Sequence, residues 1–385
     1  MAEGVRKPYQ EQLRPTPAQE RELEASLRRC RTLYNTALAQ RSTAWQRCRV
    51  SLTREEQEAE LQAIRADFPA YEAIHSPVLH DVLARLEKTY QAFFRRVERG
   101  EKAGFPRFKG SNRSGSVTFK EDGTGARLDH GFLVLSTSGR IAVGWSPPWE
   151  GPPKTGTLAQ EADGWSVCVS CTQAPLHPLP STGQETGIDL GLEAFATLTD
   201  GARILTPGSY RNAERSRANC QRRLSRRTQG STRRRNAGCW RAKAHQNVRR
   251  QRQDFPHKRA LWLVRHYHIL SHEDLQVATM VKHHHLAKRM SDAGWSGFLA
   301  ILSFTAANPG RSVVAVDPAF TSQACSGGGV LAQTGVSVRW HHCPECGTSL
   351  HRDHNAALNI LRIGRTRGAG QAPQARTWPV GASVA

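Results

Sequence analysis

The apolar positions fall into three textures along the chain. Between residues 16 and 99 they recur at helical spacing. Leu23, Leu27, Cys30, Tyr34, Ala37 and Leu38 form one stripe, and Leu79, Leu83, Leu86, Tyr90, Phe93, Phe94 and Val97 form a second. Thr16-Pro17-Ala18-Gln19 supplies the start signal for the first. It joins a hydroxyl cap, a proline at the first helical position and a glutamine at the capping-box position. Ser76-Pro77 starts the second. The pattern marks a helical region from about Thr16 to Arg99; the expected helical domain spans 13–112, and residues 1–12, too short for a pattern of their own, are expected to form one strand.

After Gly100 the period shortens. Val117–Phe119, Phe132–Leu135, Arg140–Trp145 and Trp165–Cys171 predict short strands punctuated by Gly and Pro. They imply a small β-barrel or sandwich over 113–180. Cys168 and Cys171 lie three apart within one such strand and so face opposite ways. That suits core or edge thiols rather than half a metal site.

The third texture follows the linker "LHPLPSTGQ". Thr186–Leu190, Ala194–Leu198 and Arg203–Leu205, with Asp200-Gly201 as a hairpin turn, predict three antiparallel strands. The first carries Asp189. This is the opening of a ribonuclease-H-like α/β fold. An arginine-rich helix comes next, with Cys220, Leu224, Trp240, Ala244 and Val248 as inward positions. "YHILSHEDL" predicts an apolar strand ending at Glu273, and Ser312–Asp317 another. On the last helix Asp353, Ala356, Ala357, Ile360 and Leu361 share one face. The Gly-, Pro- and Arg-rich tail over 365–385 predicts disorder.

Charge narrows the field of partners. Lys and Arg number 54 against 33 Asp and Glu, a net +21 on 385 residues. The stretch from Glu214 to Lys258 carries 15 of these cations and two acids, so the basicity is a local device. Arg233, Arg234 and Arg235 form its densest run. With no strongly apolar helix face beside it, nucleic acid is the expected partner rather than a membrane. "AGFPRFKGSNRSG" interleaves Phe105 and Phe108 with Arg107, Lys109 and Arg113. The two phenylalanines suit base stacking or core packing equally. Arg107 and Lys109 are the safer nucleic-acid contacts. No apolar run approaches membrane-span length, and Met1-Ala2-Glu3-Gly4 opens no signal pattern. Nine cysteines, an odd number, favour metal ligation in a reducing compartment over disulfides.

Two groups carry candidate chemistry. Asp189, Glu273 and Asp353 end or begin core-facing elements, where a charge is costly unless paired or metal-bound. Singly each suits a cap or an ion pair. Together they suggest a magnesium site. Cys343-Pro-Glu-Cys346 is half of a tetrahedral zinc site. Upstream, Cys325 is followed by Ser326, Gly327, Gly328 and Gly329, with no second cysteine. His341 or His342 could complete the set, or the site is partly or wholly free of metal.

"GIDLGLEAFATLTDG", "EDL", "AGWSGF", "VDPAFTSQACS", "CPECG" and "RDHNAALNI" resemble the motif series of TnpB-type transposon proteins, the OrfB family, relatives of type V CRISPR effectors. "TPAQERELEASLRRCRTLYNTAL", "LEKTYQAFFRRV" and "GFPRFKG" are similar to its N-terminal half. The resemblance covers nearly the whole chain except the tail. It implies an RNA-guided DNA endonuclease, with guide RNA from its own transposon and a double-stranded DNA target. It implies a RuvC-like domain over 181–317 and 351–364, with Asp189, Glu273 and Asp353 as catalytic magnesium ligands. It also implies a zinc-ribbon-like insert over 318–350 holding zinc on Cys325, Cys343 and Cys346. The helical domain would be inserted in a β-rich wedge. No membrane and no small-molecule substrate is implied, and the setting would be prokaryotic cytoplasm with nucleoid association. The alternatives are a guide-free transposase or resolvase, and a cleavage-deficient RNA-guided repressor. The chain departs from the family pattern at Gly328, where a cysteine is usual, and at His80, where glutamine is common.

Overall fold

A computed structural model describes residues 5–110, 115–120, 125–129, 131–144, 149–280, 287–307, 309–332 and 338–368. Arg113, Trp145 and the tail past Gly368 lie outside them. The chain divides into two compact units, residues 1–175 and 176–385, with the break at the start of the expected linker.

The first unit opens with β1 (Val5–Arg14). Five helices follow: α1 (Pro17–Cys48), α2 (Arg54–Ala59), α3 (Leu61–Asp67), α4 (Pro69–Glu72) and α5 (Ser76–Glu98). Then come β2 (Ser116–Lys120), β3 (Ala126–Asp129), β4 (Phe132–Leu135), β5 (Gly139–Gly144), β6 (Pro153–Glu161) and β7 (Gly164–Ala174). The strands form one seven-stranded sheet in the order β2-β6-β7-β1-β5-β4-β3. β1 is its centre, antiparallel to both β7 and β5. All five helices therefore lie, in sequence, between two strands of one sheet.

The capping box at Thr16 is complete. Its hydroxyl accepts from the Gln19 amide, and the Gln19 side chain accepts from the Thr16 amide at 2.9 Å. Every residue of the first predicted stripe is buried. The second holds through Leu79, Leu83, Leu86 and Tyr90 and then fails, because Phe94 and Val97 are half exposed. There the aromatics pack on one another, with Phe93 and Tyr90 edge-on to Phe105. β3 and β6 had no sequence signal: β6 is largely polar and buries one large side chain, Leu158. On β7, Cys168 is exposed and Cys171 buried.

The second unit contains β8 (Glu185–Asp189), β9 (Ala196–Leu198), β10 (Arg203–Ile204), α6 (Ser209–Ser225), α7 (Thr232–His266) and β11 (Ile269–Glu273). It continues with α8 (Val277–Met280), α9 (Ala287–Ala293), α10 (Trp295–Ala307), β12 (Ser312–Val316), β13 (Trp340–His342), β14 (Ser349–His351) and α11 (Arg352–Gly368). The five-stranded sheet has the order β10-β9-β8-β11-β12. β8, β9 and β10 are antiparallel, while β8, β11 and β12 run parallel. One face carries the core of Ile188, Phe195, Leu263, Leu270 and Phe298. β13 and β14 form a separate hairpin.

Three expectations need correction. The arginine-rich segment is two helices, broken between Ser225 and Thr232, with the Ser231 hydroxyl capping the second. Trp240 is 70% exposed rather than inward. The last helix runs to Gly368, so residues 365–368 are helical and not part of a disordered tail. Among the described residues no helix is long and apolar enough to cross a membrane.

Candidate functional site

β8 and β11 pair in parallel, with Ile188 opposite His272. One residue further along this register, Asp189 and Glu273 stand side by side at the C-terminal strand ends. Side chains alternate along a strand, so Asp189 projects to the face of Gly187, and Glu273 to that of Ser271. That face is covered by α11. A Cβ on Gly187 would meet the Ala357 carbonyl at 2.0 Å, and one on Gly364 would meet the Ser271 hydroxyl at 2.0 Å. The two glycines let helix backbone lie directly on the sheet. Arg365 binds Glu185 at 2.6 Å, so the helix runs antiparallel to β8. Its first turn, with Asp353, therefore sits above the strand ends bearing Asp189 and Glu273. All five predicted inward residues of α11 are buried, Asp353 included.

The electrostatics report the same meeting. Burial raises the Asp189 carboxyl well above the usual range; Glu273 and Asp353 push it further, and Arg352 opposes them least. Burial also raises Glu273, against a hydrogen bond from the Thr321 hydroxyl that favours its charged form. The three carboxylates are more open than a coordination shell. Among the described residues, the groups whose donor atoms all lie within 4.8 Å of one another are Cys325–Cys343–Cys346 and Glu193–His351–Asp353. The latter has a local explanation. His351 Nδ1 lies 3.3 Å from the Asp353 amide at the start of α11, and Glu193 is held by Arg203 at 2.6 Å.

The three thiols form the other candidate metal centre. Cys325 and Cys346 Sγ are 3.4 Å apart. The Thr348 hydroxyl, then its backbone, then the two neighbouring thiols lower Cys346 to about 7. At Cys343 the backbone of Cys346 and Glu345 lowers the thiol, but burial and its hydrogen bonds with Cys346 and Cys325 outweigh this and raise it, so Cys346 is the thiol readiest to ionise. No histidine belongs to this group. His341 is buried with both ring nitrogens lacking a hydrogen-bond partner among the described residues, and His342 is exposed. A Cβ on Gly328 would stand 3.7 Å from Cys346 Sγ, so the glycine borders the thiol group.

The expected nucleic-acid contacts separate on inspection. Arg107 is exposed. Lys109 lies over the Tyr34 ring at 3.9 Å, and its backbone is bound by Asn35. Burial, then Arg85, lowers its pKa. Lys109 thus has a packing role inside the first unit. Arg234 donates to the carbonyls of Leu224 and Arg227, closing the turn between α6 and α7. Arg233 and Arg235 are exposed. Phe108 is 60% exposed, and Phe105 is half covered by Tyr90 and Phe93.

Three family models match. One described as a probable transposase, of the OrfB IS605 type, covers residues 166–284. A Cas12f1-like TNB domain covers 295–360, and a helix-turn-helix domain of the OrfB type covers 1–49. A "putative RNA-guided DNA endonuclease" of Streptomyces pristinaespiralis is 30% identical over 96% of this chain and 92% of its own length. The chain belongs to the OrfB, or TnpB-type, family. A second relative, "putative RNA-guided DNA endonuclease InsQ" of Escherichia coli strain K12, is 27% identical over 92% of this chain and 91% of its own. Among solved structures, a CRISPR-Cas phi3 mini-RNA-guided endonuclease aligns over 94% of this chain and 92% of its own at 11% identity, with a TM-score of 0.49. A Cas12f1–sgRNA–target DNA complex aligns over 93% and 99% with a TM-score of 0.36. Likeness at that level carries no argument. The matched regions span both the strands bearing Asp189 and Glu273 and the segment bearing the thiols and Asp353. The sequence reading missed Gly187, Gly364 and Thr321. The motif strings "GIDLGLEAFATLTDG" and "VDPAFTSQACS" contain Gly187 and Thr321 but give no sign of what they touch.

Proposed function

We propose that the chain is a transposon-encoded, RNA-guided DNA endonuclease that hydrolyses phosphodiesters with magnesium held by Asp189, Glu273 and Asp353. The observation that carries the reading is the convergence of three carboxylates from three separated elements on one face of β8 and β11. Two of them are raised by burial, a charge conflict that a divalent cation relieves. The donors are all carboxylate oxygens and openly spaced, which fits magnesium, an ion that keeps several waters among its ligands. Magnesium bound there would activate water and stabilise the departing sugar oxygen. The chain's own part is to fix two donors on a hydrogen-bonded parallel ladder and a third on a helix packed against it.

In this reading the second unit is a RuvC-like, ribonuclease-H-like domain, and the order β10-β9-β8-β11-β12 supports it. The segment between β12 and α11 is its zinc-ribbon-like insert. The first unit is a β-rich wedge with an inserted recognition domain, since α1 to α5 separate two strands of one sheet. The basic helices α6 and α7 hold phosphates without regard to sequence, and base pairing by a guide from the same transposon selects the DNA. The cellular setting is prokaryotic cytoplasm.

Sequencing the RNA that copurifies with the chain, followed by cleavage of DNA matching it, tests the proposal. A discrete RNA from sequence flanking the gene and magnesium-dependent cleavage are expected. Asp189→Ala, Glu273→Ala and Asp353→Ala should each abolish cleavage and leave RNA binding. Cleavage without RNA would instead indicate a guide-free transposase or resolvase. Guided binding without cleavage would indicate a repressor.

A further inference from the structure

Glu273 has a partner that the carboxylate set does not include. β12 ends at Val316, and the chain turns sharply through residues 319–323. Phe320 in this turn has φ +61, a left-handed conformation that a bulky residue rarely adopts. Its ring is 59% exposed, while the next residue, Thr321, is 3% exposed. The Thr321 hydroxyl has one proton and two acceptors within reach: the Glu273 carboxylate, and the Pro318 carbonyl at 3.1 Å. The carboxylate is the stronger acceptor.

The turn is gripped from α11. Asn359, fully buried, donates its side-chain amide to the carbonyls of Thr321 and Ala324 at 2.9 and 2.7 Å. Asn355, one turn earlier, donates to the Ala324 carbonyl at 2.8 Å and accepts from the Ser326 amide at 2.9 Å. Arg352 adds a bond to the Ser322 hydroxyl at 3.0 Å. Two buried side-chain amides spent on one loop, with a strained residue at its apex, indicate a backbone held in place for what it presents.

We propose that Thr321 is a positioning residue for the cation site: it orients Glu273, and Asn359 and Asn355 hold the turn that presents it. The inference rests on the reading of Glu273 as a magnesium ligand. A ligating carboxylate free to rotate loses affinity for its ion, and loss of such outer partners costs about 10–100-fold.

The test uses the full-length chain. Manganese binding to the RNA-free protein is followed by the electron paramagnetic resonance of free Mn2+. The magnesium concentration giving half-maximal cleavage is measured on the RNA-loaded protein. Thr321→Val should raise both midpoints by about 10-fold or more. Thr321→Ser should restore them, while zinc content and RNA binding stay parental. Asn359→Ala should move both midpoints in the same direction, and it serves as the reading if Thr321→Val fails to fold. Unchanged midpoints in Thr321→Val, or in Asn359→Ala where that variant serves, would overturn the proposal. So would a Thr321→Ser variant as impaired as Thr321→Val, since the hydroxyl would then be present without its effect. Asp189→Ala separates the two levels. If it leaves manganese binding intact, the magnesium reading falls and this inference with it. If it abolishes binding while Thr321→Val binds as the parent does, only the positioning role falls.

Discussion

On the proposal that the three thiols hold zinc, replacing Gly328 by cysteine should complete the ligand set. Three thiols lie within 4.8 Å of one another, and zinc–sulfur bonds of about 2.3 Å place tetrahedral thiolates about 3.8 Å apart. The existing group thus needs adjustments of about an ångström at most to take a metal. A Cβ at position 328 would sit 3.7 Å from both Cβ and Sγ of Cys346, an ordinary contact, and the backbone there is outside the left-handed region. The sulfur of Gly328→Cys would therefore begin beside the cluster without strain. Gly327 is the control. A Cβ there would be closer to the thiols, at 3.4 and 3.8 Å, but 2.6 Å from the Thr348 hydroxyl that bonds Cys346.

The size of the gain follows from the ligand count. A complete structural zinc site is worth about 10–16 kcal/mol, so one of four thiolates contributes roughly 3 kcal/mol, or about two orders of magnitude in Kd. The assay is zinc per chain after dialysis against a graded chelator series, with protease mapping of residues 325–353. Gly328→Cys should hold zinc at about 100-fold higher chelator activity and protect the segment. Gly327→Cys should gain less. If the parent already binds one full zinc and Gly328→Cys shifts the midpoint less than about tenfold, the notion of a missing ligand is wrong. Loss of that zinc in His341→Ala would then identify the buried imidazole as the fourth donor.

Neutralising Arg233 and Arg235 together should weaken RNA binding and reduce the slope of log affinity against log salt by about 1.5–2, whereas Arg234→Gln should act on the α6–α7 turn through stability. Burial raises the folded Asp189 carboxyl above its unfolded value, so its contribution to the stability of the metal-free protein should be fully present below the unfolded value and lost as pH rises through the folded one. Asp189→Asn should accordingly raise the metal-free melting midpoint at neutral pH, by about 2–4 °C for each kcal/mol relieved, and remove the stabilisation that magnesium gives. Gly187→Ala places a methyl 2.0 Å from the Ala357 carbonyl and should cost ~3 kcal/mol or more, read as a lower melting midpoint with loss of cleavage.

Much of the candidate site was legible because its signals are local. Asp189 and Glu273 each end a short apolar run, and Asp353 falls on the apolar face of a helix whose period is plain over three turns. The Thr16 capping box spans four residues and needs no tertiary information. What escaped the sequence depends on partners far along the chain. Lys109 looks like a solvated contact until Tyr34, 75 residues earlier, is seen beneath it. Gly187 looks like strand punctuation until α11 lies on it. Trp240 keeps helical spacing with Ala244 and Val248 on α7, yet only Val248 of the three is buried, so spacing marks a face but not how far along the helix that face is covered. β6 escaped because a strand between two others in a sheet needs little alternation when its side chains are mostly small or polar.

The missing thiol and the complete carboxylate set are compatible because different forces hold them. α11 is fixed to the sheet by backbone contact at Gly187 and Gly364 and by the Glu185–Arg365 pair, none of which involves sulfur. The loop over 321–326 is fixed by Asn355 and Asn359. It also closes on itself, with the Cys325 amide bonded to the Val330 carbonyl and the Ala332 amide to that of Gln323. What metal ligation would add is the tie between this loop and the turn bearing Cys343 and Cys346. Removing zinc with a selective chelator should therefore open the Cys343–Thr348 region to protease and leave manganese binding at the carboxylates within about threefold of its starting value, a factor worth less than ~1 kcal/mol. A parallel loss of manganese binding would show that the thiol group, and not the two asparagines, sets the position of Glu273 and Asp353.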